Sequence, residues 1–333
     1  MNTTILTDIL KKYEQKRLQA EKDFEQRKEK LYLANPRLQE IDDELSKLGI
    51  STAKAMLFNN SAEALNSLNT QVELLKNEKL KILEKNNLTA DYLTPHYSCN
   101  LCNDTGYVTA DFKTTICNCL KQEIYNVEYN KSNLSHLETE NFEHFSLDVY
   151  SDTPNKEKYN SDISPKENMK IIKKLCDKFI ENFDNPEEKN LLFIGNTGLG
   201  KTFLSSCIAK EMIKRDKTVL YQTAPVMLDT IIDYKFNKNT SSDDIVNRLL
   251  DVDLLIIDDL GTESMNTVKF TELFNIINTR LINANNKSLK TIISTNLNLQ
   301  ILNKNYGERI TSRLIGNYNI CRFFGEDIRF IKR

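Results

Sequence analysis

The chain has 333 residues, with 45 basic and 47 acidic side chains, a formal net charge of −2, 40% apolar residues and no tryptophan. This ordinary soluble balance excludes collagen-like and disulfide-dense chains, and near-neutrality argues against a tight, non-specific nucleic-acid binder. No apolar run approaches the ~18 residues of a membrane helix, and the first 30 residues are too charged for a signal peptide. Seven cysteines without an export signal fit a reducing cytoplasm, where paired cysteines mean metal or redox chemistry. The length predicts two or three domains.

Residues 1–90 read as helical. Ile5, Ile9, Tyr13, Ala20, Phe24 and Leu31 recur at steps of four and seven, and Leu65, Leu68, Val72, Leu75 and Ile82 repeat at a/d spacing. Two or three helices are expected, with an antiparallel hairpin turning between Leu48 and Ser61. Such a region is either a small bundle or coiled-coil spacer, or a partner-binding domain whose stripe needs another surface. Residues 91–125 hold Cys99-Asn-Leu-Cys102 and Cys117-Asn-Cys119, two chelating pairs with zinc-ribbon-like spacing. Four ligands leave no open position, so a structural zinc is expected, contributing about 10–16 kcal/mol to folding a segment too short for its own core. His96 is an alternative ligand, and a redox pair or free thiols are the competing readings. Residues 126–165 are polar, carry Pro154 and Pro165, and read as a linker anchored by Phe142, Phe145 and Val149. Cys176, Cys207 and Cys321 sit in apolar contexts and read as core.

From residue 166 the texture turns α/β. A helix is predicted over Glu167–Phe183, and apolar strands at Leu191–Gly195, Thr218–Gln222, Leu254–Asp258 and Thr291–Thr295 alternate with helices. Fully apolar strands of this kind form a parallel sheet covered on both faces. The first strand runs into Gly195-Asn196-Thr197-Gly198-Leu199-Gly200-Lys201-Thr202, the G-x-x-x-x-G-K-[ST] phosphate loop. Its backbone N–H groups and the following helix N-terminus cradle phosphates, Lys201 reaches the β/γ-phosphates, and the Thr202 hydroxyl binds Mg²⁺. Leu254-Leu-Ile-Ile-Asp258-Asp259 ends a strand in two acids. Asp258 is expected to hold Mg²⁺, and Asp259 to orient or deprotonate the attacking water. Asn296 stands at the tip of a further strand, within reach of a γ-phosphate. Glu308-Arg309-Ile-Thr-Ser-Arg313 puts two arginines on one helical face, suited to a neighbouring subunit's transition state. Arg329 is expected to touch phosphates of its own subunit.

These five motifs occur in an order that resembles the DnaC/DnaI family of replicative-helicase loaders, AAA+ ATPases related to the initiator DnaA. The resemblance spans about residues 95–333. It implies a P-loop AAA+ domain at 166–333, Asn296 as sensor 1, Arg329 as sensor 2, and one or both of Arg309 and Arg313 as an arginine finger. It further implies ATP and Mg²⁺ as ligands, a zinc module in the helicase-binding half, and as partners a hexameric DnaB-type helicase, single-stranded DNA and an ATP-dependent homo-oligomer. Asp-Asp in place of the commoner Asp-Glu suggests slow, switch-like hydrolysis. The insert Ala224–Asp251 offers Lys235, Lys238 and Arg248 as phosphate contacts, with Tyr234 and Phe236 as stacking partners, or else a solvated face with core aromatics. The alternatives are an IstB-like ATPase helper of transposition and a zinc-stapled nucleotide-binding adaptor.

Overall fold

A computed structural model describes residues 3–57, 62–128, 137–236, 242–284 and 287–331. Its contacts divide the chain into one unit of residues 10–115 and another of residues 1–9 with 116–333.

The first unit is built on α1 (Thr3–Ala34), α2 (Pro36–Leu57) and α3 (Ala62–Lys85). Pro36 ends α1 and opens α2 because its fixed φ suits a first turn and its missing N–H is not needed there. Helices α2 and α3 run antiparallel: the Arg37 guanidinium spans both carboxylate oxygens of Glu78 at 2.8 and 3.0 Å, and Lys79 pairs with Asp42. Leu31, Leu38 and Leu83 form a small core against Tyr32, Ile82, Leu88, Tyr92 and Leu93. The expected hairpin thus exists. Gly49 does not end α2, and the residues joining α2 to α3 (58–61) lie outside the described residues. A hairpin of β1 (Tyr107–Ala110) and β2 (Lys113–Ile116) follows; Asp111 and Phe112 take φ of 49° and 59°, the left-handed pair of a two-residue turn.

The second unit contains α4 (Asn118–Glu128), 3₁₀ turns at Phe142–His144 and Leu147–Val149, α5 (Lys156–Tyr159) and α6 (Pro165–Glu181). It continues with β3 (Asn190–Ile194), α7 (Lys201–Lys214), β4 (Val219–Thr223), α8 (Ala224–Phe236), α9 (Ser242–Asp251), β5 (Leu254–Leu260) and α10 (Thr267–Asn283). It closes with β6 (Lys290–Thr295), α11 (Leu299–Asn317), β7 (Tyr318–Arg322) and α12 (Ile328–Ile331). The five strands β3–β7 form one parallel sheet in the order β4-β5-β6-β3-β7. Alternate residues feed opposite faces: Leu192, Leu220, Leu255, Ile257 and Ile293 enter one core, and Leu191, Phe193, Tyr221, Ile256 and Ile292 the other. Burial on both faces explains why the strands read as continuous apolar runs. This is the P-loop AAA+ arrangement that the motifs implied. Ser164 and Glu167 cap α6 reciprocally, with Pro165 in its first turn, so the helix starts two residues before its predicted limit.

Three expectations change. The fifth strand, β7, was not marked by sequence because Tyr-Asn-Ile-Cys-Arg mixes polar and apolar residues; it pairs with β3 from Asn190↔Tyr318 to Ile194↔Arg322. The stretch 126–165, expected as a linker, is more than a connection. Its residues 137–165 pack Leu137, Phe142, Phe145, Leu147 and Val149 against the buried core around Tyr150, and Tyr150 itself is buried. Likewise α4, expected within the cysteine module, places Gln122 against the edge of β4, exchanging hydrogen bonds with Val219. The anchors were legible as scattered aromatics, but their polar surroundings hid the extent of packing. No described helix is long and apolar enough to cross a membrane.

Candidate nucleotide site

The sheet order decides what meets at the carboxyl ends of the strands. Strand β6 lies between β3 and β5, so the residue after its tip, Asn296, falls between the phosphate loop and the acid pair. Lys201, buried at the start of α7, donates to the Gly195 and Asn196 carbonyls and to Asn296 Oδ1, at 2.7 Å in each case. Burial lowers the Lys201 ammonium pKa, and the nearby Asp259 and Asp258 oppose that fall. Thr202 Oγ1 donates to Asp258 Oδ2 at 3.0 Å. The strands thus bring Lys201, Thr202, Asp258, Asp259 and Asn296 together.

Gly198 and Gly200, at φ of 72° and 92°, are required by their backbone conformation. A methyl group on Gly198 would come within 2.0 Å of the Asp327 carboxyl group, and one on Gly200 within 2.6 Å of the Tyr150 hydroxyl. That hydroxyl donates to the Leu199 carbonyl at 3.2 Å, and the Ile328 N–H donates to the Gly198 carbonyl at 2.9 Å. Residues from both ends of the second unit therefore brace the loop from outside it.

Asp258 is held on both oxygens. Tyr221, buried on β4, donates to Oδ2 at 2.7 Å, and Ser294 of β6 donates to Oδ1. The Asp259 N–H donates to Ser294 Oγ at 3.1 Å. Asp259 itself sits at φ 54°, a left-handed position unusual for a non-glycine residue, where the β5–β6 register shifts between Ile257 and Leu260. Burial, then the Asp258 charge, raises the Asp259 carboxyl pKa, and Lys201 partly opposes this. Tyr221, Ser294, Tyr150 and Asp327 were not found from sequence. A tyrosine and a serine inside otherwise apolar strands were the available signal for the first two. A cavity of about 910 Å³ opens beside the loop, lined by Asn196, Asn296, the first turn of α11 and the end of β7.

The remaining predicted residues stand apart. Arg329 forks onto the Asp327 carboxylate, with Nε at 2.9 Å from Oδ1, and its charge is felt at Lys201. Arg313 lies on α11, stacked 4.6 Å over the Phe274 ring and donating to Asn278 Oδ1 at 2.8 Å, while Arg309 on the same helix is exposed. In the insert, Lys235 is paired with Glu272 at 2.7 Å and Tyr234 packs against the core, so both are engaged internally. Arg248 lies on α9, Phe236 ends α8, and Lys238 lies outside the described residues.

The four predicted thiols also converge. The Sγ atoms of Cys99, Cys102, Cys117 and Cys119 all lie within 4.8 Å of one another. Tetrahedral zinc–sulfur bonds of about 2.3 Å set sulfurs about 3.8 Å apart, so the donor set fits zinc with little contraction. The Gly106 N–H donates to Cys102 Sγ at 3.4 Å, and Asp104 accepts from the Ser98 and Cys99 N–H groups at 2.8 and 2.9 Å. His96 instead contacts the Asp91 carbonyl at 3.3 Å and is outside the group.

Residues 151–317, half of the chain, match the family described as IstB-like ATP binding protein. The chain belongs to that family. Among curated relatives, it is 31% identical over 140 residues to the replicative helicase loader DnaC of Escherichia coli K12, covering 42% of this chain and 55% of that protein. DnaC of Buchnera aphidicola from Baizongia pistaciae is 28% identical over 141 residues, with the same coverage of each chain. This IstB-like chain thus spans about half the length of the curated relatives it matches. A crystal structure of the DnaC helicase loader overlaps 57% of this chain and 99% of that one, at 22% identity and a TM-score of 0.42. AMPPCP-bound DnaA from Aquifex aeolicus overlaps 47% and 46%, at 23% identity and a TM-score of 0.41.

Proposed function

We propose that the protein is an ATP-dependent loader of a replicative DNA helicase, using nucleotide binding and slow hydrolysis as a switch. The observation that carries this reading is the Lys201–Asn296 and Thr202–Asp258 pairing at the phosphate loop, in a chain whose curated relatives include DnaC loaders. The loop amides and Lys201 would bind the nucleotide phosphates, and Arg329 would reach them from the same subunit. Thr202 and Asp258 would hold Mg²⁺, which supplies charge neutralisation at the phosphates. Asn296 would orient the attacking water, and Asp259 would accept its proton. Arg309 or Arg313, being turned to other partners or to solvent, fits a role at a neighbouring subunit's site. That role makes hydrolysis depend on a homo-oligomer, which would hold single-stranded DNA through several weak contacts acting together. The helical region 1–90 and the four-cysteine module at 91–125 would grip the helicase, with zinc as a structural ion.

The IstB-like family match favours a second reading, an ATPase helper of transposition. The four-thiol cluster favours the loader, because such helpers generally lack a cysteine module. Incubating the full chain with the replicative hexameric helicase of its own cell or element separates the two. Co-elution that changes between ATP and ADP is expected. No association with any nucleotide, in zinc-replete protein, would move the assignment to transposition.

A further inference from the structure

The C-terminal turn lies across the phosphate loop in a way that the nucleotide-binding machinery does not require. Asp327 is packed so closely on Gly198 that an added methyl group would fall 2.0 Å from its carboxyl carbon. The adjoining Ile328 N–H is bonded to the Gly198 carbonyl at 2.9 Å, which pins the turn to the loop. The same carboxylate holds Arg329 through Nε, at 2.9 and 3.1 Å from its two oxygens. Asp327 keeps only 20% of its side chain exposed, whereas Arg329 keeps 64%. A negative group thus rests against a loop whose amides attract anions, and it occupies the arginine otherwise free to meet phosphate.

We propose that Asp327 is a built-in competitor for the nucleotide phosphates, a carboxylate latch that ATP or ADP must displace from Gly198 and from Arg329. The inference rests on the phosphate loop being a nucleotide site. Entry of the phosphates places like charges side by side, and Asp327 withdraws. Arg329 exchanges a carboxylate for a phosphate, a fork-shaped donor matching either anion. Nucleotide state is thereby reported to the turn at 327–331, which is pinned in the free protein and released in the bound one. Glycine at position 198 is what lets the carboxylate approach, so the latch and the loop share one conformational requirement.

The test is equilibrium titration of the full chain with fluorescent ATP and ADP analogues and Mg²⁺, comparing wild type with Asp327→Asn, Arg329→Gln and Lys201→Ala. Asparagine keeps the size of the side chain and removes its charge. Asp327→Asn is expected to tighten binding about 5- to 30-fold, the range of one charge-assisted interaction, and the gain should shrink as salt rises. Arg329→Gln should cost more affinity in the Asp327→Asn background than in wild type, because only there is the arginine free beforehand. A purely structural Asp327 would show neither the salt dependence nor this coupling. Unchanged or weaker binding by Asp327→Asn, with Lys201→Ala still abolishing it, overturns the latch and leaves the nucleotide site standing. Equal binding by wild type and Lys201→Ala overturns the nucleotide site, and the latch with it.

Discussion

The sheet-containing unit and the helical region both depend on charged residues, but they place them differently. In the sheet-containing unit, Lys201, Asp258, Arg280 and Lys290 are buried, and each has fixed partners. Between α2 and α3, Arg37 makes as many contacts, to Glu40, Glu44 and Glu78, yet all four side chains stay at least 41% exposed. A buried charge must be matched because water cannot replace a lost partner, whereas an exposed pair loses little when it is broken. Buried polar groups therefore mark where this sequence commits to one geometry, and exposed ones mark a surface that tolerates change.

The comparison can be broken most severely at the four clustered cysteines, three of which are buried. Metal analysis is expected to find one zinc per chain, and Cys102→Ser to lose it. The whole stabilisation by the metal, about 10–16 kcal/mol, is at stake there. A stable protein with much less than one zinc after anaerobic purification contradicts that reading. Next comes Arg280, whose guanidinium donates to the Leu249, Val252 and Lys290 carbonyls at 2.7–2.8 Å and whose pKa burial lowers to about 10. Arg280→Met leaves those carbonyls unpaired and should cost about 3–5 kcal/mol in denaturant unfolding of the sheet-containing unit. A loss below 1 kcal/mol would show that burial is not what fixes this geometry.

A smaller effect follows from Asp259. Its carboxyl pKa is raised by burial and by Asp258, so as a base it should fail, on acidification, above the ordinary value of about 4. The linkage to stability has the matching sign. The folded chain holds this proton more tightly than the unfolded one, so the contribution is complete below the ordinary value and fades as pH rises through the raised one. Single-turnover ATP cleavage should show that acidic limb, and Asp259→Asn should flatten it. The smallest effect is Arg37→Ala, expected to cost less than about 1 kcal/mol by thermal unfolding and less again in high salt.

The phosphate loop, the acid pair, Asn296 and the four cysteines were legible because each motif is contiguous or closely spaced. The strands around them announced themselves as apolar runs, since both faces of the sheet are covered. Tyr221 and Ser294 were not legible, because their reason for being polar is Asp258, 37 and 36 residues away in the chain. Tyr150 was hidden inside a polar stretch whose packing depends on α6 and α7. Lys235 shows the converse: its charge suggested DNA, yet in the fold it pairs with Glu272, on α10 and 37 residues further along the chain.

The central claim is that the buried network on Lys201 is a nucleotide site, and Lys201→Ala tests it most directly. With Mg²⁺ present, wild type should bind an ATP analogue, and the variant should bind about 100-fold more weakly or worse while keeping its unfolding midpoint near wild type. Equal affinity in the two proteins would contradict the account.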